Sequence, residues 1–121
     1  MYVVDLIGIP FDKMKCWDLV KEVYKRENKP LPDYTDMLNG QTVCSNLVEK
    51  INTPEKGCIC VYSLCGLGID HVAVYLGVNQ IIHATEGSGV CIEPYSRYAT
   101  RLIGLYRRKN DDSCNQCKES V

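Results

Sequence analysis

The chain has few groups that titrate near neutral pH, little aromatic mass beyond tyrosine and no long apolar run. Of its 121 residues only two are histidine, one is tryptophan and one is phenylalanine. Its 14 basic and 15 acidic side chains leave a formal net charge of −1. The basic stripe that a nucleic-acid surface requires is therefore missing, and nucleic acid is not expected as a partner. No stretch approaches the roughly 20 apolar residues that span a bilayer. Met1 to Pro10 is fairly apolar, but Asp5 interrupts it, no basic segment precedes it and no small-residue cleavage site follows. No signal peptide is expected on that ground, and synthesis in the cytoplasm is. Eight cysteines without such a signal fit a reducing compartment. The length suits one domain with one core.

Scarcity of histidine concentrates the chemistry. In Lys15–Tyr24 the apolar residues Leu19, Val20, Val23 and Tyr24 fall at helical spacing, while Lys21, Glu22 and Lys25 lie off that stripe. Cys16 stands in the first turn, where unpaired N–H groups and the positive end of the helix dipole favour thiolate over thiol. A depressed thiol pKa is the expectation. The only candidate bases are His71 and His83, on two strand-like runs separated by Gly77-Val78-Asn79, a β-hairpin pattern.

Loop parity decides whether the two imidazoles meet, because side chains alternate faces along a strand. A three-residue turn centred on Val78 sets His71 opposite Thr85, with His83 its diagonal neighbour on the same face. A two-residue turn at Val78-Asn79 points them to opposite faces. Asn79 tolerates positive φ, which favours the first arrangement. The spacing then permits a Cys-His-His triad: Cys16 attacks, His71 takes and returns the proton, His83 orients His71. Each member also has a structural reading, as a small core thiol or a satisfied, half-buried strand histidine.

Six stretches together resemble a known family: Pro10-Phe11; Cys16-Trp17-x-Leu19-Val20-x-x-Val23-Tyr24; Leu31-Pro32-x-Tyr34; His71-Val72-Ala73-Val74-Tyr75-Leu76-Gly77; Ile81-Ile82-His83-Ala84; and Gly104-Leu105-Tyr106-Arg107. In this order, across about residues 5 to 108, they are similar to the NlpC-type cysteine peptidases, most of all to the branch found in tailed-phage tail-assembly proteins. The resemblance implies a papain-like domain with the nucleophile at a helix N-terminus, the base on the first of two adjacent strands and a third polar residue on the next. Those roles fall on Cys16, His71 and His83. It also implies hydrolysis of amide bonds in cell-wall peptides, often beside a γ-linked D-glutamate, without a cofactor.

The neighbours of Cys16 depart from that pattern. Relatives carry Asp before the nucleophile, and a small residue then Gly after it; here those places hold Lys15, Trp17 and Asp18. The Asp and the small residue help relatives to bind a free amine, so Lys15 reverses the charge of that subsite. Phe11 stands where relatives often have a tyrosine hydroxyl. Lys15, Trp17 and Phe11 are thus expected to shape substrate binding. Asp70, beside His71, reads either as a substrate contact or as a solvated turn carboxylate.

The fold class expected is α+β, helices first and antiparallel strands afterwards. Asp12 is read as the N-cap of a helix running to about Glu27, and Val43, Leu47, Val48 and Ile51 share a face of a second helix over about residues 41–51. Strands are expected at 58–64, 71–76, 80–85, 90–93 and 102–107, a sheet of about five. Residues 1–108 form the domain and 109–121 a polar, flexible tail. Cys58-x-Cys60 and Cys114-x-x-Cys117 offer four thiolates to a zinc ion, but the first pair suits core packing and the second lies in the tail, so no metal is expected. Three functional readings stay open: a cysteine amidohydrolase acting on a peptide or murein peptide in a phage tail or prophage, with tail proteins as partners and a place in the virion; a non-catalytic binding module of such an assembly; and an effector acting on a host amide or acyl group.

Overall fold

The structure, a computed structural model, describes residues 1–109. The rest of the tail, 110–121 with Cys114 and Cys117, lies outside the described residues. Helix α1 spans Cys16–Arg26 and a single helical turn, α2, spans Tyr34–Met37. Eight strands follow in chain order: β1 Leu38–Asn39, β2 Thr42–Val43, β3 Val48–Ile51, β4 Ile59–Tyr62, β5 His71–Gly77, β6 Gln80–Thr85, β7 Gly89–Pro94 and β8 Leu102–Arg108. β1 and β2 form a small ribbon. The remaining six make one antiparallel sheet in the order β3-β8-β4-β5-β6-β7.

The α+β class stands, with six strands in the sheet rather than five. The additional strand is β3, in the segment expected to be the second helix. Its apolar residues fit a helical period, but Asn39-Gly40 turns the chain and Val48 to Ile51 pairs along β8 instead, with Glu49 accepting from Arg107 Nε at 2.7 Å. Edge pairing on an existing strand outweighs a weak local helical pattern. Helix α1 also begins later than expected. Its N-cap is Lys15, and Asp12 sits in a preceding turn. Its far end closes on Asn28 at φ 60°, where Asn28 N donates to Lys25 O and Lys29 N to Tyr24 O.

The sheet's two faces bury two clusters. Leu19, Val20 and Val23 of α1 pack on Val72, Val74, Ile82 and Ala84, all at most 1% exposed. Burying each of the Leu, Val and Ile side chains contributes about 1.5–3 kcal/mol. On the other side Cys58, Cys60, Tyr62, Ala73 and Ile81 gather beneath Tyr95 and Tyr98 of a 3-10 turn, Tyr95–Arg101. At the rim of β7, Val90 N donates to Ile9 O and Gly8 N donates to Val90 O. Gly89, at φ +68°, lies so close that a Cβ there would stand 2.3 Å from Ile9 O, so the lead-in chain is seated by the lack of a side chain.

The β5–β6 hairpin differs from expectation in mechanism and agrees in result. Its turn has two residues, Val78 and Asn79, at φ 51° and 59°, the type I′ geometry. One extra residue at Leu76 shifts the register between Tyr75 and Gly77. This bulge restores the parity that the short turn would have reversed. Carrying the Val74–Ile82 pairing along the strands sets His71 opposite Thr85, with His83 on the same face.

A β-branched residue in the left-handed region is strained, and Val78 is 92% exposed, so its side chain packs on nothing that offsets the strain. Val78→Asn is therefore expected to stabilise the chain by about 1 kcal/mol, read as a rise in the urea unfolding midpoint at unchanged m-value. A lower midpoint would contradict the turn geometry.

Candidate active site

Cys16 opens α1, and the turn around it is built by its neighbours. Lys15 N donates to Asp18 Oδ2 at 3.1 Å, so the residue in place of the family's glycine caps the helix start. Trp17 turns inward: its Nε1 donates to Pro32 O at 3.0 Å, its ring meets Tyr34 edge-on at 6.3 Å, and it is 6% exposed. The substrate-binding role expected of Trp17 is corrected to anchoring α1 against the proline-rich connection. The sequence held that signal, because Trp17, Val20 and Tyr24 lie on one helical stripe.

A cleft of about 280 Å³ brings together Cys16, His71, His83, Phe11 and Asp70 with Leu64, Cys65, Thr85, Glu86 and Tyr98. Lys15 is not among its lining residues; it is exposed beside Phe11, with Nζ 6.0 Å from the centre of that ring. Asp70 accepts from Leu64 N at 2.7 Å and Cys65 N at 2.8 Å, closing the loop that rims the cleft. Burial opposes its ionisation, but those two N–H groups outweigh burial and hold its carboxyl below the usual range.

His71 Nε2 and His83 Nδ1 are 2.8 Å apart, and His83 Nε2 is 2.7 Å from Glu93 Oε1. Glu93 on β7 is the residue that sequence reasoning missed. Tyr98 OH donates to its Oε1 at 2.9 Å, and Arg97 pairs with Oε2. Finding Glu93 needed a second register: β6 pairs His83 with Cys91 and Ile81 with Glu93, which sets Glu93 diagonal to His83 on one face. Desolvation raises the Glu93 pKa, but hydrogen bonds from His83, Tyr98 and Arg97 overcome it and keep the carboxylate ionised.

That carboxylate only accepts, so His83 Nε2 carries the proton between them. A neutral His83 then offers Nδ1 as acceptor, and His71 Nε2 must be the donor. His71 Nδ1 is left with its lone pair free, as a base requires. Both rings are held neutral. Burial, then the proximity of His83, depresses the His71 pKa to about 4; burial also lowers that of His83, against the pull of Glu93. The expectation of a depressed Cys16 pKa is corrected: burial pushes the thiol up, and N–H groups of Val72, Trp17 and Cys16 itself only partly oppose it. The resting pair is neutral thiol and neutral imidazole. The described residues also contain one set of possible metal ligands, His83, Cys91 and Glu93.

The NlpC/P60 family model matches residues 7–107. No curated protein matches the chain. Among solved structures, an NLP/P60 family protein similar to lipoprotein from Staphylococcus aureus subsp. aureus Mu50 is 20% identical with a TM-score of 0.67, over 89% of this chain and 39% of that one. An NlpC/P60 family protein from Bacillus cereus ATCC 10987 is 20% identical with a TM-score of 0.59, over 78% of this chain and 31% of that one. The NlpC/p60 domain of the peptidoglycan hydrolase SagA is 19% identical with a TM-score of 0.61, over 85% of this chain and 90% of that one. The chain thus spans well under half of the first two proteins, and at these identities the likeness shows a shared fold.

The neutral histidines make stability fall with acid. His71 titrates near 6.5 in the unfolded chain and about 4 in the fold, so the unfolded state binds the proton first as pH drops. Its contribution is complete above pH 6.5 and is lost on the way to about 4, on the order of 3 kcal/mol. Denaturant unfolding between pH 7 and 4.5 checks this. A decline that His71→Gln largely removes is expected, and a flat wild-type profile would contradict it.

Proposed function

We propose that this chain, which belongs to the NlpC/P60 family, is a cysteine hydrolase that cleaves an amide bond in a cell-wall peptide. The observation that carries the reading is the His71 Nε2–His83 Nδ1 contact of 2.8 Å in the cleft that holds Cys16 at a helix N-terminus. Because thiol and imidazole rest neutral, His71 acts as a general base: Nδ1 takes the Sγ proton as sulfur attacks the carbonyl carbon. His83 holds the ring, and the Glu93 carboxylate offsets charge as the imidazolium forms. The backbone N–H of Cys16, in the first turn of α1, supplies a donor to the developing oxyanion. His71 then returns the proton to the leaving amine, and water activated by the same ring releases the acyl group from sulfur.

A murein peptide is the substrate class that the family suggests, and the peptidoglycan hydrolase SagA has a domain of the same fold. Lys15, exposed beside Phe11, adds a preference for an acidic group on the substrate. The phage-tail or prophage setting, tail-protein partners and incorporation in a virion rest on the sequence resemblance alone. A peptide-binding module with an inert thiol is the competing reading, and the raised thiol pKa is the observation in its favour.

Purified peptidoglycan separates the two. Wild-type chain is expected to release soluble peptides detectable by mass spectrometry, and Cys16→Ala or His71→Ala to lower the rate by about 1,000-fold or more. Binding without release, equal in all three proteins, would establish the module instead. Lys15→Asp is expected to weaken release; faster release would remove the proposed acidic preference.

A further inference from the structure

At the His83–Glu93 end of the relay lies a set of donors that hydrolysis does not use in full. One atom each from His83, Cys91 and Glu93 lies within 4.8 Å of the others, and among the described residues no other group of three such side chains does so. His83 Nε2 is 2.7 Å and Cys91 Sγ 3.9 Å from Glu93 Oε1. Tetrahedral zinc with ligands at its usual bond lengths needs about 3.4 Å between N and O and about 3.6 Å between S and O. The first pair must open by about 0.7 Å and the second close by about 0.3 Å, while the third, His83 with Cys91, lies within 4.8 Å and must close to about 3.5 Å, an adjustment of side-chain rotation. Imidazole, thiolate and carboxylate are also the ligand types that zinc takes, with water in the fourth place.

The scaffold supports this set. His83 and Cys91 are cross-strand partners and Glu93 is diagonal, so adjacent strands fix all three. His83 is 1% exposed, while Cys91 and Glu93 are partly exposed at the sheet's edge strand, which leaves a path for an ion. Arg97 already holds the second oxygen of Glu93 and orients the carboxylate from outside.

We propose that His83, Cys91 and Glu93 form a divalent-zinc site whose occupation switches the histidine relay off. The proton balance follows from the ligand set. Zinc takes the Nε2 lone pair of His83, so that ring must carry its proton on Nδ1. The Nε2 proton of His83 leaves to solvent, and the Nε2 proton of His71 passes along the 2.8 Å contact to His83 Nδ1. His71 then regains a proton from water on Nδ1, the nitrogen that serves as base. The two rings exchange positions of their protons without net change, and Cys91 loses its thiol proton to the buffer. Binding thus releases one proton and leaves His71 unable to accept from Cys16. The inhibitory consequence rests on the reading of His71 as the base; the site itself does not.

Calorimetry with zinc chloride on the full chain carrying Cys16→Ala removes the catalytic thiol as a competing ligand. Tight one-to-one binding with about one proton released is expected, weakened at least ten-fold by adding either Cys91→Ser or Cys91→Ala. Equal affinity with and without Cys91 would overturn the site. The second readout is long-range proton–nitrogen NMR of the two histidines: on saturation with zinc, the protonated nitrogen of His71 is expected to move from Nε2 to Nδ1. Zinc bound through Cys91 with the His71 proton unmoved would overturn the switch. Neither readout depends on hydrolysis, so both still decide the proposal for a chain that cleaves nothing.

Discussion

The hydrogen bond between His83 Nε2 and Glu93 Oε1, at 2.7 Å, is the constraint on which the site depends. A neutral imidazole has two tautomers of similar energy, and a pair of imidazoles in contact shares the ambiguity. An ionised carboxylate at one end removes it, because only one arrangement sets a donor against an acceptor at both contacts. The choice made at Glu93 is transmitted through His83 to the far nitrogen of His71. Burial is what makes this transmission clean: it keeps both rings uncharged, so that one proton position in each ring is meaningful. The cost of that burial appears in the acid sensitivity of the fold.

The fold supplies the three residues by register. β5, β6 and β7 are consecutive antiparallel neighbours, so their side chains meet in pairs and diagonals fixed by two turns. A short I′ turn with a bulge at Leu76 brings His71 and His83 to one face. The other face of the same strands packs on α1, and that packing holds the helix whose first residue is Cys16. Trp17, Asp18 and the seated segment around Ile9 fix the approach of the helix and of Phe11 to the cleft. Chemistry and core therefore alternate along the same strands, one residue to each side.

Much of the site is legible in the chain, for reasons that can be traced. Two histidines at strand spacing leave few choices, and a cysteine before a clean amphipathic stripe marks a helix start. The hairpin's parity agrees with expectation although its turn is one residue shorter, because the bulge compensates for the shorter loop. Glu93 is hidden since its role depends on a long-range register two strands away from His71. Residues 41–51 mislead because their apolar spacing fits a helix, and only pairing with β8, distant in sequence, selects the strand. Trp17 draws attention by its place beside the nucleophile, when its own helical phase already puts it in the core. The Cys16 pKa goes the other way because dipole arguments from sequence carry no measure of burial.

The tautomer of His71 is what the chemistry of the site turns on, and it is directly observable. A long-range proton–nitrogen correlation spectrum at pH 7 of nitrogen-15-labelled protein, with no metal added, resolves the ring nitrogens of two histidines. Both rings are expected to be neutral and protonated at Nε2, with the His71 assignment becoming mixed or inverted in Glu93→Gln. A wild-type His71 protonated at Nδ1, or carrying protons on both nitrogens at that pH, would contradict the relay.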